Sequence, residues 1–384
     1  MKRFLCGIFS LFFLLLCGCA TEQPTASSGA VQGDTRATLC AVGDIYFPEN
    51  ILKTLKSEDD YIALFGDTVN TVAAADLAIG NFEGNFAGAP YTGGSYPDEA
   101  AAALANAGFD LLQTANSYSI ENGLTGLART KSVIEGEQLT ALGTYTSQAD
   151  ANANRVVVRE VNGIRIAFVA FTKGLGSMSI PAGSEYCVNL LYTDYSGNYS
   201  RVDTAGITAV LEQAQQLQPD IIVAALHWGS EDSAEVSKTQ TEIADLLLKN
   251  GVDVILGSHT HRVGPLERRT VYSAAGTEKE AVIAYGLGDY CAVEEGGVRA
   301  GLMLNLEFTK DGSTGLTTVT GVSYVPIATA DLGADAKRHY EVLNMDNAIA
   351  LYESNYYARV SDELYQTLVS RREKLEEALF PTAE

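Results

Sequence analysis

The chain has 384 residues, with 48 Asp+Glu against 26 Lys+Arg and a formal net charge of −22 at pH 7. So acidic a surface excludes nucleic acid and anionic lipid as general partners, and any anionic ligand needs a local cationic site, such as a bound metal supplies. The six cysteines contain no CxxC pair, which excludes a thiolate zinc or dithiol redox site and argues against a disulfide framework.

The N-terminus reads as a targeting segment. Met1-Lys2-Arg3 is basic, residues 4–16 are apolar but too short for a stable span, and Leu16-Cys17-Gly18-Cys19 puts a small residue before a cysteine. This resembles a bacterial lipoprotein signal over residues 1–18, cleaved before Cys19 with lipid on its sulfur; the alternative is an ordinary signal peptide cut near Ala20. No other stretch approaches 18 uninterrupted apolar residues, so nothing else is expected to cross a membrane. Residues 19–37 read as a flexible tether, rich in Ser, Thr, Gly, Gln and Ala. Of the cysteines left in the mature chain, Cys40 reads as a small core residue, and a Cys187–Cys291 bridge is left open.

From about Thr38 the composition turns globular. Apolar runs at 38–42, 76–80, 110–115, 164–172, 220–226, 252–257 and 281–286 predict strands. Segments 97–107, 204–216 and 239–249 predict helices between them, the last with Ile243, Leu246 and Leu247 at helical spacing. Alternating strands and helices with continuously apolar strands predict an α/β layered sandwich of mixed β-sheet flanked by helices. The runs 301–308 and 317–325, joined across Lys310-Asp311-Gly312, predict an antiparallel hairpin added to the sheet. A single domain over 38–330 and a helical segment over 331–384 are expected.

The strand ends carry the chemistry. Strand one ends Val42-Gly43-Asp44-Ile45-Tyr46 and strand two Gly80-Asn81-Phe82-Glu83-Gly84. Later ends read Ala115-Asn116-Ser117-Tyr118 with Glu121 close behind, His227-Trp228-Gly229-Ser230-Glu231, Gly257-Ser258-His259-Thr260-His261 and Gly286-Leu287-Gly288-Asp289-Tyr290. Three of the four histidines thus stand at strand ends, where open α/β sheets keep their ligands. Asp, Glu, Asn and His are the donors expected for Mn, Fe, Zn or Mg in hydrolytic sites. The bland alternative is a core histidine at 227 and a loop-lining pair at 259 and 261.

Taken in order, these motifs resemble the CapA family of poly-γ-glutamate capsule biosynthesis proteins, whose fold is related to calcineurin-like metallophosphoesterases. The resemblance runs from about Thr38 to Ile327. Asp44, Glu83, His227, Trp228, Gly229, Glu231, His259 and His261 match it position by position. It implies a metallophosphoesterase-like fold and one or two divalent ions. Asp44, Glu83 and His261 would surround one metal position; Glu83, His227 and His259 would surround a second. Asn116 would add a ligand. Glu231 would orient an imidazole or act as base, its alternative being an exposed carboxylate at a helix start. The family's second Asn and its His are here Ser117 and Tyr118, the following Asp is Glu121, and the last motif's Asn is Asp289. Tyr118, Glu121 and Glu231 are therefore the candidate catalytic residues. A phenol with an ordinary pKa near 10 donates a proton poorly at neutral pH.

The resemblance implies an extracytoplasmic lipoprotein, anchored to the membrane by lipid at Cys19, that makes, attaches or exports an anionic surface polymer. Its partners would be that polymer or its synthesis machinery. The rival readings are a non-catalytic polymer-binding scaffold, which Ser117 and Tyr118 favour, and a secreted metal-dependent phosphoesterase.

Overall fold

Strands buried on both faces set the architecture. In the computed structural model, which describes residues 33–91, 94–272, 276, 278–292, 298–333, 340–356 and 359–381, the chain begins β1 (Thr35–Ile45), α1 (Glu49–Leu52), α2 (Glu58–Phe65), α3 (Thr68–Ala74), β2 (Leu77–Phe82) and α4 (Glu99–Asn106). It continues β3 (Leu111–Gln113), α5 (Gly123–Gly136), β4 (Thr140–Leu142), α6 (Gln148–Asn154), β5 (Val157–Val161), β6 (Ile164–Thr172), α7 (Thr204–Gln216) and β7 (Ile221–His227). Then come α8 (Lys238–Lys249), β8 (Val254–Ser258), β9 (Leu266–Tyr272), β10 (Glu278–Ala284), β11 (Arg299–Lys310), β12 (Thr317–Asp331), β13 (Tyr340–Asn344), α9 (Met345–Glu353) and α10 (Asp362–Leu379). The expected signal segment and Cys19 lie outside the described residues. No helix among the described residues is long and apolar enough to cross a membrane.

The strands form two mixed sheets. One has the order β13-β12-β11-β1-β2-β3-β4, the other β5-β6-β7-β8-β10-β9. Each contains a run of parallel strands: β1 to β4, which form one side of the first sheet with antiparallel strands on the other, and β6-β7-β8-β10, which has an antiparallel strand at each margin. In β1, Leu39 and Ala41 join the core shared by the two sheets, while Cys40 and Val42 face the helices outside. In β7, Val223 and Ala225 face the shared core, and Ile222, Ala224 and Leu226 pack with Ile207 and Leu211 of α7 and Ile243 and Leu247 of α8. A strand covered on both faces must be apolar at every position, which is why these runs lack alternation. The helices take the other period. Ser237 caps α8 in a reciprocal pair with Gln240, and Ile243, Ala244, Leu247 and Leu248 form its buried stripe.

Two expectations change. The strand starts at Thr35, inside the expected tether, because Ala37 is fully buried in the shared core. The segment after 330 is not helical throughout: β13 pairs with β12 and extends the first sheet. It packs on the domain, with Leu343, Ala348, Leu368 and Leu375 joining the shared core. The bridge left open by the sequence is not formed: Cys187 and Cys291 are free, buried thiols in different core clusters.

Candidate metal centre

The parallel strands of both sheets end on the same side, and the chain leaving β10 stitches them together. Asp44 N donates to Gly288 O at 2.9 Å, and Tyr290 N donates to Asp44 O at 2.9 Å. A Cβ on Gly43 would sit 1.9 Å from Gly288 O, so only glycine lets these segments pass. Asp44 and Asp289 therefore lie side by side, both fully buried. A register shift between Val42 and Asp44 re-aims the end of β1.

The histidines arrive from the second sheet. His227 is the last residue of β7, and Trp228 braces it by donating Nε1–H to Tyr285 O at 2.9 Å. His259 and His261 have φ of 86° and 54°. Left-handed backbone at a non-glycine residue costs on the order of 1–3 kcal/mol and is retained when surrounding contacts over-determine it. Here His259 N donates to Asp44 Oδ2 at 3.2 Å.

Two donor groups result. Glu83, His227 and His259 each offer a ligand atom within 4.8 Å of the others, and so do Asp44, His261 and Asp289. Glu83 joins them. Its Oε1 lies 3.4 Å from His227 Nδ1, and its Oε2 lies 3.6 Å from His261 Nε2. His261 Nδ1 is 2.8 Å from Asp289 Oδ1 and 3.3 Å from Asp44 Oδ2. Asn81 Nδ2 donates to Asp44 Oδ1 at 2.7 Å and to Glu83 Oε1 at 3.3 Å, and Asn116 Nδ2 donates to Asn81 Oδ1 at 3.2 Å and to Phe82 O at 2.6 Å.

The electrostatics divide the imidazoles. Burial, then the neighbouring His259 and His261, hold His227 well below the ordinary imidazole range. Burial, with Lys173 and His261, pushes His259 down to about 3. Both rings are neutral and keep a lone pair. Burial opposes charge on His261 too, but its bond to Asp289 and the carboxylates of Asp44 and Glu83 outweigh it and push its pKa up to about 10. Burial, with Asp289 against it and His261 easing it, raises Asp44 to about 6. Burial and then Asp44 lift Glu83 well above the usual carboxylate range.

The other expected residues sit around this cluster. Ser117 Oγ is 3.1 Å from His227 Nε2. Tyr118 packs near Tyr46, with ring centroids 6.0 Å apart, and burial first, then Tyr46 and Glu83, raises its phenol further. Glu231 is exposed and lines a cleft with Ser117, Lys173, Tyr199 and His259. Glu121 is half-buried, and no hydrogen bond or ion pair joins its side chain to the cluster among the described residues. Three neighbours were not singled out from sequence as site residues. Asp289 and Asn81 stand in strand-end motifs, so their signal was present. Lys173 follows β6 and had no comparable signal; its Nζ donates to Gly229 O at 2.5 Å.

This arrangement defines an α/β protein with two layered mixed sheets and a buried carboxylate–imidazole cluster where their parallel strands end. The model of the family described as bacterial capsule synthesis protein PGA_cap matches residues 38–293, and the chain belongs to that family. PGA biosynthesis protein CapA of Bacillus subtilis (strain 168) is 23% identical over 373 residues, covering 92% of this chain and 87% of that protein. Capsule biosynthesis protein CapA of Bacillus anthracis is 23% identical over 302 residues, covering 75% and 68%. Similar solved structures include a novel phosphatase of Mycoplasma pneumoniae (TM-score 0.45, 16% identity, 77% of this chain and 94% of that one). Another is the calcineurin-like phosphoesterase YfkN of Bacillus subtilis (TM-score 0.43, 15% identity, 90% and 98%).

Proposed function

We propose that this protein works outside the cytoplasm, held to a membrane by lipid at Cys19, in making, attaching or exporting an anionic surface polymer. Poly-γ-glutamate is the polymer that the name of the Bacillus subtilis relative supports. The chemistry proposed is hydrolysis or transfer at an acyl or phosphoryl centre, assisted by one or two divalent ions. The observation that carries this reading is the pair of donor groups meeting at Glu83.

The donor set fits such ions. Carboxylate oxygens with neutral imidazoles suit Mn, Fe, Zn or Mg better than soft metals. Three buried carboxylates side by side leave a charge deficit that a divalent cation offsets. Asp44, His261 and Asp289 would hold one ion, and Glu83, His227 and His259 the other. A bound divalent ion supplies Lewis acidity toward an oxygen of substrate or water. The chain does the rest. Asn116 braces Asn81, and Asn81 orients both Asp44 and Glu83. Tyr118 offers a hydrogen bond beside Glu83, and Glu231 stands at the cleft mouth to accept or deliver a proton.

One observation favours a second reading, a non-catalytic polymer-binding scaffold. Where the resemblance puts an acid His, Tyr118 stands with its phenol made still less acidic by burial. Metal content of the purified protein, measured alongside cleavage of poly-γ-glutamate and of an activated phosphodiester, separates the readings. Bound metal with polymer cleavage supports the first. Polymer binding without metal supports the scaffold. Phosphodiester cleavage without action on the polymer supports a metal-dependent phosphoesterase instead.

A further inference from the structure

Two recesses open on the cluster, one beside each donor group. His259 lines the first, with Ser117, Lys173, Tyr199 and Glu231. His261 lines the second, with Arg262 and Val263 and with Arg371, Lys374 and Leu375 of α10. His259 and His261 are two residues apart, so their Cα atoms are at most about 7 Å from each other.

The cations in these recesses run against the average surface, on a chain of net charge −22. Among the described residues, neither Arg371 nor Lys374 forms a hydrogen bond or ion pair through its side chain. Their neighbour Arg372 differs: it is tied to Asp346 at 3.0 Å and Glu376 at 2.6 Å. Lys173, whose charged neighbour is the exposed Glu231 of the same recess, forms no ion pair among the described residues. It spends one donor on Gly229 O and lies 4.6 Å from the centroid of the Tyr199 ring. Val263 and Leu375 give the second recess an apolar floor that suits a methylene chain. A chain of repeated carboxylates offers an anion to each recess at once. α10 lies beyond residue 293, where the family match ends.

We propose that an extended polycarboxylate strand lies across the cluster, gripped by Arg371 and Lys374 on one side and by Lys173 on the other. This rests on the reading that an anionic polymer is the ligand, and it adds where and how that polymer is held. Linking two weak subsites through one chain raises affinity with chain length until both are filled. Each exposed ion pair contributes little alone, so reversing both α10 charges should lower long-chain affinity by about tenfold or more.

The test uses the full chain and fluorescently labelled poly-γ-glutamate in a length series starting at a few residues. For the wild type, affinity should rise with length and fall with salt. Arg371→Glu with Lys374→Glu should flatten the length dependence while short oligomers bind nearly as before, and Lys173→Gln should weaken short and long chains alike. Lys56→Glu with Lys249→Glu, matched in charge but lining neither recess, should bind like the wild type. Thermal melting confirms that each variant is folded. Long-chain affinity within twofold of wild type in the α10 variant would overturn the strand path and leave the polymer reading standing. An equal loss in the Lys56 and Lys249 control would reduce the effect to net charge and likewise overturn the path. A wild type that takes up metal but binds no poly-γ-glutamate of any length would overturn the polymer reading and the path with it.

Discussion

Replacing His261 by Gln in metal-free protein tests whether this imidazole carries the compensating charge of the buried cluster. His261 sits 2.8 Å from Asp289, 3.3 Å from Asp44 and 3.6 Å from Glu83. Those carboxylates overcome the effect of burial and lift its pKa from the ordinary 6.5 to about 10. At about 1.36 kcal/mol for each pH unit, the difference is on the order of 5 kcal/mol of stability. Because the pKa is raised, this contribution is complete below about pH 6.5, declines as pH rises, and is gone above about pH 10. At pH 7.5 about 3 kcal/mol should remain, of the same order as the roughly 3–5 kcal/mol for breaking a buried ion pair from one side. Asp44, raised from 3.8 to about 6, adds a slope of the same sign between those values. Urea unfolding in a chelator, followed by the fluorescence of the single, fully buried Trp228, measures this directly. His261→Gln should be about 3 kcal/mol less stable than wild type near pH 7.5, and the two proteins should converge above about pH 10. Curves that stay parallel across that range would refute a charged His261 and the electrostatic account of the cluster.

Three further outcomes are expected. Gly257→Ala places a Cβ 2.2 Å from Tyr285 O and 2.7 Å from Trp228 Nε1, so it should destabilise the fold by about 1–3 kcal/mol or more; an unchanged melting temperature would show that this segment yields freely. Ser117→Asn with Tyr118→His should leave metal content nearly unchanged while activity on an activated phosphodiester rises about tenfold or more, since general-acid help is typically worth about 10²–10⁴-fold; a brisk wild type would show that Tyr118 is no handicap. Cys19→Ala should move the protein from the membrane to the soluble fraction and lower its mass by the lipid, and a variant that fractionates and weighs as before would exclude the anchor.

The apolar runs alone determined that this is an α/β protein, and they located its central strands. The run at 164–172 coincides with β6 and the helical pattern at 204–216 with α7, because burial on both faces or on one helical stripe is written in neighbouring residues. The strand-end polar residues were legible for the same reason: glycine-flanked Asp44, Glu83, His227, His259 and His261 interrupt otherwise apolar segments. Other features left little local trace. β3 and β4 are three residues each, and β9, Leu266–Tyr272, carries charge at three of its seven positions. Only the tertiary structure divided the strands between two sheets, drew β13 into the first, and brought Asp289 from beyond the second sheet against Asp44. It also set Arg371 and Lys374 of α10 beside His261. A strand's period records only whether each face is covered, not which element covers it. β13 pairs with its near neighbour β12, but the Asp44–Asp289 and His261–α10 juxtapositions join residues roughly a hundred or more positions apart, and close packing of the whole chain selects them.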